Sequence, residues 1–178
     1  MKLLLIRHGE TTGDIEDRYG GFYDDHLTQK GREQLKETAE KLRGVEIHVL
    51  FSSSLIRAKE STEIINDVVN TRIEILDGLR ERDYGILGGL TKTEALEKYP
   101  QAVELHTDQA NTDQDGESQT FFIQRVLDTF QSIVNQNHDT VAIVSHGGPI
   151  KVILKHLSMP IPSKIGDGEI IDIELPAH

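Results

Sequence analysis

The sequence contains no cysteine. Disulfides, thiolate nucleophiles and cysteine-based zinc sites are therefore excluded. No apolar run approaches the roughly 20 residues that a membrane span requires. The opening stretch, MKLLLI, is too short for a signal peptide and is followed at once by charged residues. We therefore expect a cytoplasmic protein that has no membrane partner.

Positive charge is also scarce, because 19 basic residues stand against 30 acidic ones and give a net charge of −11. An acidic chain without a block of Lys and Arg is a poor candidate for binding nucleic acid or an anionic surface. Any anion that it binds must be held by a local cluster of positive groups. Its 178 residues, of which 37% are hydrophobic, are typical of one globular domain spanning residues 1–178.

Short runs rich in Ile, Val and Leu alternate with longer segments of helical period. The predicted strands are Lys2–Ile6, Ile47–Ser52, Arg72–Leu76, Thr140–Ser145 and Glu169–Leu175. The predicted helices run from a Thr28 cap to Arg43, over Leu55–Val69, from a Thr91 capping box to Tyr99-Pro100, over Gln119–Asn135 and over Ile150–Leu157. This alternation predicts an α/β three-layer sandwich, with a largely parallel central sheet and helices on both faces. An exposed edge on the last strand would allow a homodimer.

Histidines, arginines and a glutamate follow four of the predicted strands. Arg7-His8 follows the first strand, Arg57 follows the second, Glu81 follows the third among arginines, and His146 follows the fourth. Each alone has an ordinary structural explanation, such as a polar exit from the core or a surface ion pair. Ligands of open parallel sheets bind outside the carboxyl ends of the strands, so together these groups predict a phosphate site.

Five short motifs, in this order, carry a resemblance to a known family. They are Leu-Ile-Arg-His-Gly-Glu-Thr, Ser-Ser-Leu-Ile-Arg-Ala, Leu-Arg-Glu-Arg-Asp-Tyr-Gly, Gly-Glu-Ser and Ser-His-Gly-Gly. This set resembles the histidine phosphatase superfamily, which includes phosphatases and cofactor-dependent phosphoglycerate mutases. The resemblance implies a phosphoglycerate mutase-like fold with a small cap or loop region around residues 84–118.

The resemblance also implies a mechanism. His8 would attack phosphorus and form a phosphohistidine, and Arg7, Arg57 and His146 would hold the phosphoryl oxygens. Glu81 would protonate the leaving alkoxide and then activate water. An imidazole is mostly neutral near pH 7, so neither a metal nor another cofactor is needed. The expected partner is a small phosphomonoester substrate.

Four further residues are candidates for substrate binding. The family often has asparagine six residues after the nucleophile, where this chain has Asp14, whose carboxylate would oppose a phosphate. We expect Asp14 to point away or to contact hydroxyls of the substrate. Gly20 and Gly21 lie in a stretch that resembles the mutase substrate loop, and Gly147 adjoins His146. Glycine at such positions allows close approach of a ligand.

The phosphatase and mutase branches are not equally favoured. Mutases of this family resemble one another in having His-Gly-Asn after the strand that corresponds to Thr140–Ser145, where this chain has His-Gly-Gly with Gly148 in place of asparagine. They also have a longer insertion after the residue that corresponds to Glu81, where this chain has only a short cap. A mutase must exclude water from its phosphohistidine, so a short cap favours hydrolysis. A protein-phosphohistidine phosphatase is another alternative, but those enzymes resemble a version of the family that lacks the Glu81 segment. A non-catalytic phosphate-binding protein is a further alternative, although His8, Arg57 and His146 are all present.

Several other residues have ordinary interpretations. Asp24-Asp25-His26 is interpreted as a turn before the first long helix rather than as metal ligands. Asp113–Gly116 lacks the remaining positions of a calcium loop. The polar stretch Thr107–Ser118 is interpreted as a solvated loop or, alternatively, as a mobile lid. The remaining histidines are expected to be structural or exposed, namely His48, His106, His138, His156 and the terminal His178.

Overall fold

The computed structural model describes residues 1–108 and 112–176, and within them five strands form one sheet. The strands are β1 (Lys2–Arg7), β2 (Val49–Ser53), β3 (Arg72–Leu76), β4 (Thr140–Ser145) and β5 (Ile170–Glu174). Their order is β3-β2-β4-β1-β5; all neighbours are parallel except β5, which pairs antiparallel with β1. The predicted largely parallel sheet is confirmed.

Helices cover both faces of this sheet, as predicted. They are α1 (Thr12–Ile15), α2 (Gln29–Lys41), α3 (Ile56–Val69), α4 (Lys92–Lys98), α5 (Pro100–Thr107), α6 (Gln119–Val134) and α7 (Gly147–His156). Leu4 and Ile6 of β1 face the core beneath α2 and α3, whereas Leu3 and Leu5 face the core beneath α6 and α7. Successive side chains of a strand point to opposite faces, so a strand covered on both faces is apolar throughout.

Three helices differ from the sequence-based prediction. Pro100 ends α4 but also begins α5, because proline is well suited to the first turn of a helix, where its missing N–H is not needed. The last helix begins directly after His146, three residues earlier than predicted. The short helix α1 was not predicted; Thr11 and Asp14 cap it through a capping box.

A small third cluster lies apart from the sheet, in the region around 84–118. Tyr19, Leu87, Ala95 and Ala102 form its buried centre. The Thr91–Glu94 capping box that begins α4 is present as predicted. Residues 109–111 of the stretch interpreted as a loop or lid, and the terminal His178, lie outside the described residues.

The fold brings two strand ends together at one place. β1 and β4 are adjacent and parallel, and Arg7 lies in register with Ser145. The backbone N–H of His8 donates to the carbonyl of Ser145 at 3.0 Å, so the residues that follow, His8 and His146, leave the sheet side by side. None of the described helices is both long and apolar enough to cross a membrane.

Candidate active site

A cavity of about 330 Å3 lies at the carboxyl ends of the parallel strands. The basic side chains that line it outnumber the acidic ones, although the chain as a whole is strongly acidic. The basic residues are Arg7, Arg18, Arg57, Lys151 and Lys164, and the acidic residues are Asp14, Asp25 and Glu81. This is the local cluster of positive groups that an acidic chain needs in order to bind an anion.

His8 lies on the cavity wall with only 5% of its surface exposed. Its Nδ1 is 2.8 Å from the carbonyl oxygen of Gly9, and because a carbonyl can only accept, Nδ1 carries the proton. Nε2 is therefore left with its lone pair. Burial lowers the pKa of His8 well below its ordinary value, and the charges of Arg57 and Arg7 lower this pKa further. The ring is therefore neutral at neutral pH.

Arg57, in the first turn of α3, is buried and holds the neighbouring loop in place. Its Nη1 donates to the carbonyl of Tyr23 at 2.7 Å and to the carboxylate of Asp25 at 3.0 Å, and its Nη2 donates to the carbonyl of Gly21 at 2.9 Å. Gly21 has φ +56°, a conformation that favours glycine and turns this carbonyl toward the guanidinium. These three contacts hold Arg57 in place, and its side chain still lines the cavity.

His146 lies beside Arg57 and is 1% exposed. Arg57 Nε donates to its Nδ1 at 3.2 Å, so the ring proton is on Nε2, which donates to Ser53 Oγ at 2.8 Å. Burial lowers the pKa of His146 well below its ordinary value, as do the nearby charges of Arg57 and Arg7. The centre of its ring is 5.0 Å from that of His8. The structure therefore brings the two predicted histidines together.

Arg7 connects the His8 strand to the segment that precedes β5. Its Nη1 donates to the carbonyl of Ile165 at 2.7 Å and lies 2.8 Å from a carboxylate oxygen of Asp167. The pKa of Asp167 is raised, because burial and the nearby charge of Asp14 together outweigh the opposite effect of the Arg7 charge. The backbone partner of Arg7 thus lies 158 residues away in the sequence. Asp167 was not identified as a site residue from the sequence.

Glu81 is fixed by two backbone donors. The N–H of Arg82 donates to one carboxylate oxygen and the N–H of Gly148, at the start of α7, donates to the other, each at 2.9 Å. A Cβ atom at position 148 would lie 2.0 Å from Glu81 Oε1. Any larger residue at 148 would therefore displace the carboxylate, so glycine at this position is a steric requirement of the Glu81 conformation.

Arg125, which was also not identified from the sequence, holds the Glu81 segment. Arg125 of α6 donates to the carbonyls of Gly78, Arg80 and Glu81 at 2.9, 3.0 and 3.2 Å. It also makes a two-pronged ion pair with Glu117, at 2.7 Å on both sides. Carbonyl contacts from a planar guanidinium fix a turn that has no regular backbone pairing. No pattern around position 125 signalled this role.

Asp14 lines the cavity, but its side chain is turned toward the backbone. Its Oδ2 accepts from the N–H and the hydroxyl of Thr11, both at 2.9 Å, within the capping box of α1. The expectation that Asp14 points away agrees with this hydrogen bonding, and its contact with a substrate hydroxyl stays a prediction. Gly20, Gly21 and Gly147 line the same cavity, as does Arg18.

Two aspartates have buried structural roles that the sequence did not reveal. Asp25 is not simply part of a turn: it is 5% exposed, pairs with Arg57, and accepts from the N–H of Gly13 at 3.2 Å. Asp113 is likewise buried, where it pairs with Arg82 at 2.6 Å and with His106 at 2.8 Å. Within residues 1–108 and 112–176 no group of three or more His, Asp or Glu side chains is placed to hold a metal ion.

Comparisons with known proteins agree with this geometry. The sequence model described as the histidine phosphatase superfamily (branch 1) matches residues 3–169. A 2,3-bisphosphoglycerate-dependent phosphoglycerate mutase of Parvibaculum lavamentivorans is 31% identical over 87% of this chain and 79% of its own length. A Bacillus subtilis protein described as the uncharacterized phosphatase PhoE is also 31% identical, over 86% of this chain and 76% of its own.

A solved structure, that of YhfR from Bacillus stearothermophilus, superposes with a TM-score of 0.88 at 31% identity. The alignment covers 98% of this chain and 91% of that one. The sheet and its helices are therefore those of a shared fold, and the predicted fold class is confirmed.

The lowered pKa values of the buried histidines have a consequence for stability. A histidine that stays neutral when folded takes up a proton on unfolding once the pH falls below its ordinary pKa, near 6.5. The free energy of unfolding should therefore fall between about pH 7 and pH 5, by at most about 1.4 kcal/mol per pH unit for each such histidine. His8→Asn should reduce this slope, as measured by urea unfolding at several pH values. The exposed His156→Asn is the control; an unchanged slope in His8→Asn would contradict the burial argument.

Proposed function

The chain belongs to the histidine phosphatase superfamily, and we propose that it hydrolyses a small phosphomonoester through a phosphohistidine intermediate. One observation carries this proposal: His8 is a neutral imidazole with its proton on Nδ1 and its Nε2 lone pair available, beside Arg7 and Arg57. A neutral nucleophile among fixed cations suits attack on a phosphoryl dianion.

In the first step, Nε2 of His8 forms a bond to phosphorus and the bond to the leaving oxygen breaks. Arg57 and Arg7 offset the charge on the phosphoryl oxygens. His146, which the resemblance implied would hold these oxygens as well, acts instead as a positioning group for Arg57, because its two ring nitrogens are bonded to Arg57 and Ser53. Glu81 transfers its proton to the departing alkoxide. This step needs positioning and charge stabilisation, which the hydrogen-bonded guanidinium of Arg57 supplies without rearrangement.

In the second step, the Glu81 carboxylate takes a proton from water as the water oxygen bonds to phosphorus. The bond from phosphorus to Nε2 breaks, and His8 returns to its neutral form with inorganic phosphate as the product. Imidazole, guanidinium and carboxylate perform both steps, so the proposed chemistry uses no metal ion. Two backbone N–H groups hold Glu81 in one position through both steps.

The other basic residues of the cavity suggest the kind of substrate. Arg18, Lys151 and Lys164 line it in addition to the two arginines that would hold phosphate. Lys151 is fixed by its bond to the carbonyl of Ser163 at 3.0 Å. A substrate that carries a second anionic group, such as a carboxylate, would gain from these cations.

A second candidate is the mutase reaction, in which the phosphoryl group returns to the substrate instead of passing to water. The 31% identity to a phosphoglycerate mutase favours it. Gly148 and the short region around 84–118 favour hydrolysis, as argued from the sequence. The two candidates share the first step and differ in what attacks the phosphohistidine.

The main test measures inorganic phosphate released from a panel of phosphomonoesters that includes 3-phosphoglycerate. We expect release from at least one ester, in the presence of EDTA, and loss of that release in His8→Ala with the circular dichroism spectrum unchanged. An active His8→Ala variant would contradict the nucleophile assignment. Conversion of 3-phosphoglycerate to its isomer without phosphate release would show the mutase reaction instead.

Substitutions at Glu81 and at Gly148 should both reduce activity more on esters with poor leaving groups than on esters with good ones. Glu81→Gln should lower kcat for alkyl phosphates by about 10²-fold or more, because a poor leaving group needs the proton. Gly148→Ala, which pushes the carboxylate away, should also affect alkyl phosphates more than p-nitrophenyl phosphate, whose leaving group needs no proton. Kinetics with both esters checks this; equal losses on the two would argue against the acid role.

The additional cations of the cavity, Arg18, Lys151 and Lys164, should contribute to substrate binding and not to the chemical steps. Lys164→Ala should raise KM about two- to fivefold for an ester with a second anionic group, because exposed charge pairs contribute about 0.2–1 kcal/mol. KM for p-nitrophenyl phosphate should not change. Lys36→Ala, an exposed lysine on α2, is the control. A Lys164 effect that is the same on both esters would remove the case for an anionic substrate.

A further inference from the structure

A buried carboxylate, that of Asp25, lies beside Arg57 in the wall of the cavity at the strand ends, the phosphate cavity. Each of these two side chains has only 4% of its surface exposed, so solvent and salt screen their charges poorly. One oxygen of Asp25 accepts from Arg57 Nη1 at 3.0 Å, and the other accepts from the backbone N–H of Gly13 at 3.2 Å. A negative charge is thus built into a cavity whose proposed ligand is itself an anion.

The position of this carboxylate is fixed from two sides. Gly13, in the first turn of α1, leaves the space that the carboxylate occupies, because a Cβ atom at position 13 would lie 2.5 Å from Asp25 Oδ2. On the other side, a rotation away from Arg57 would leave a buried charge without its ion-pair partner, which is costly. Asp25 therefore stays in the cavity wall.

Arg57 does not need Asp25 in order to keep its orientation. Each nitrogen of the guanidinium donates to an uncharged acceptor: Nε to His146, Nη1 to the carbonyl of Tyr23 and Nη2 to the carbonyl of Gly21. Contacts on all three nitrogens hold a planar group in one place. Asp25 is a second acceptor for Nη1, so what it adds to Arg57 is mainly negative charge.

This charge acts against any phosphate in the cavity. A phosphoryl group that faces both His8 and Arg57 lies in the space that Asp25 also lines. Repulsion between the carboxylate and a phosphate dianion at contact distance weakens binding by about tenfold, even at a high effective dielectric constant. Inorganic phosphate and a phosphate ester experience the same repulsion. Only an ester with a second anionic group could offset it through the additional cations, Arg18, Lys151 and Lys164.

We propose that Asp25 is a specificity-determining residue, which weakens the binding of inorganic phosphate and makes the retention of a substrate depend on contacts beyond its phosphate group. The inference rests on the proposed function and deepens it. The product of hydrolysis has no such further contacts, so the site releases it readily. An ester that reaches the additional cations remains bound long enough to react.

The experiment compares Asp25→Asn and Asp25→Ser with Asp24→Asn. Both substitutions at position 25 remove the carboxylate, and they share no other change in shape or hydrogen bonding. Asp24 is exposed, does not line the cavity and accepts from the backbone N–H of Ile56, which an asparagine oxygen can also do. Asp24→Asn therefore removes the same charge from the same loop and is the matched control.

Isothermal titration calorimetry at mildly alkaline pH measures the Kd of inorganic phosphate, a dianion there, and of perchlorate, a tetrahedral monoanion. Steady-state kinetics give KM for p-nitrophenyl phosphate, and circular dichroism checks that each variant is folded. We expect both Asp25 variants to bind phosphate about tenfold more tightly, with a smaller gain for perchlorate, because the lost charge acts twice as strongly on a dianion. KM should fall with the Kd of phosphate, and Asp24→Asn should match the parent protein.

Unchanged or weaker phosphate binding in the folded Asp25 variants would overturn the inference, as would an equal gain in Asp24→Asn. Failure of both Asp25 variants to fold would show a purely structural role and would overturn it too. The proposed function fails on a different measurement. A parent protein that hydrolyses no ester would refute that function whatever the affinities, whereas normal hydrolysis with unchanged affinities would refute only the role of Asp25.

Discussion

The buried guanidinium of Arg57 is the interaction on which the site depends. A charge with 4% exposure is costly unless it is paired and hydrogen-bonded. One carboxylate, two carbonyls and the imidazole of His146 compensate it here. Asp25 offsets the charge of Arg57 itself, so the excess of positive charge around the cavity comes from the other basic residues that line it, namely Arg7, Arg18, Lys151 and Lys164. An acidic chain thereby keeps a positive pocket.

The position of Glu81, the proposed acid and base, depends on backbone geometry. Glu81 is held by two N–H groups, and the turn that carries it is held by Arg125 through three carbonyls. Gly148 belongs to this arrangement because no other residue leaves room for the carboxylate. The same carboxylate borders two cavities.

The sheet and the strand-end residues were predictable, because apolar runs that end in Arg-His or Ser-His are local patterns. Local sequence also predicted the Thr28 and Thr91 caps, both of which the structure shows. The partners of the site residues were not predictable. Asp167 meets Arg7 and Arg125 meets the Glu81 turn only through long-range folding, and Asp25 looks like an ordinary turn residue until Arg57 is placed beside it. Helix α5 was missed because Pro100 both ends one helix and begins the next.

The central claim is that phosphorus becomes bonded to His8, and mass spectrometry of the enzyme trapped during turnover tests it most directly. The protein would be mixed with an ester that it hydrolyses, quenched at alkaline pH, digested and mapped. We expect one added phosphoryl group on the peptide that contains His8, and none in His8→Ala. A phosphoryl group on another residue, or phosphate release with no phosphorylated peptide at any time, would contradict it.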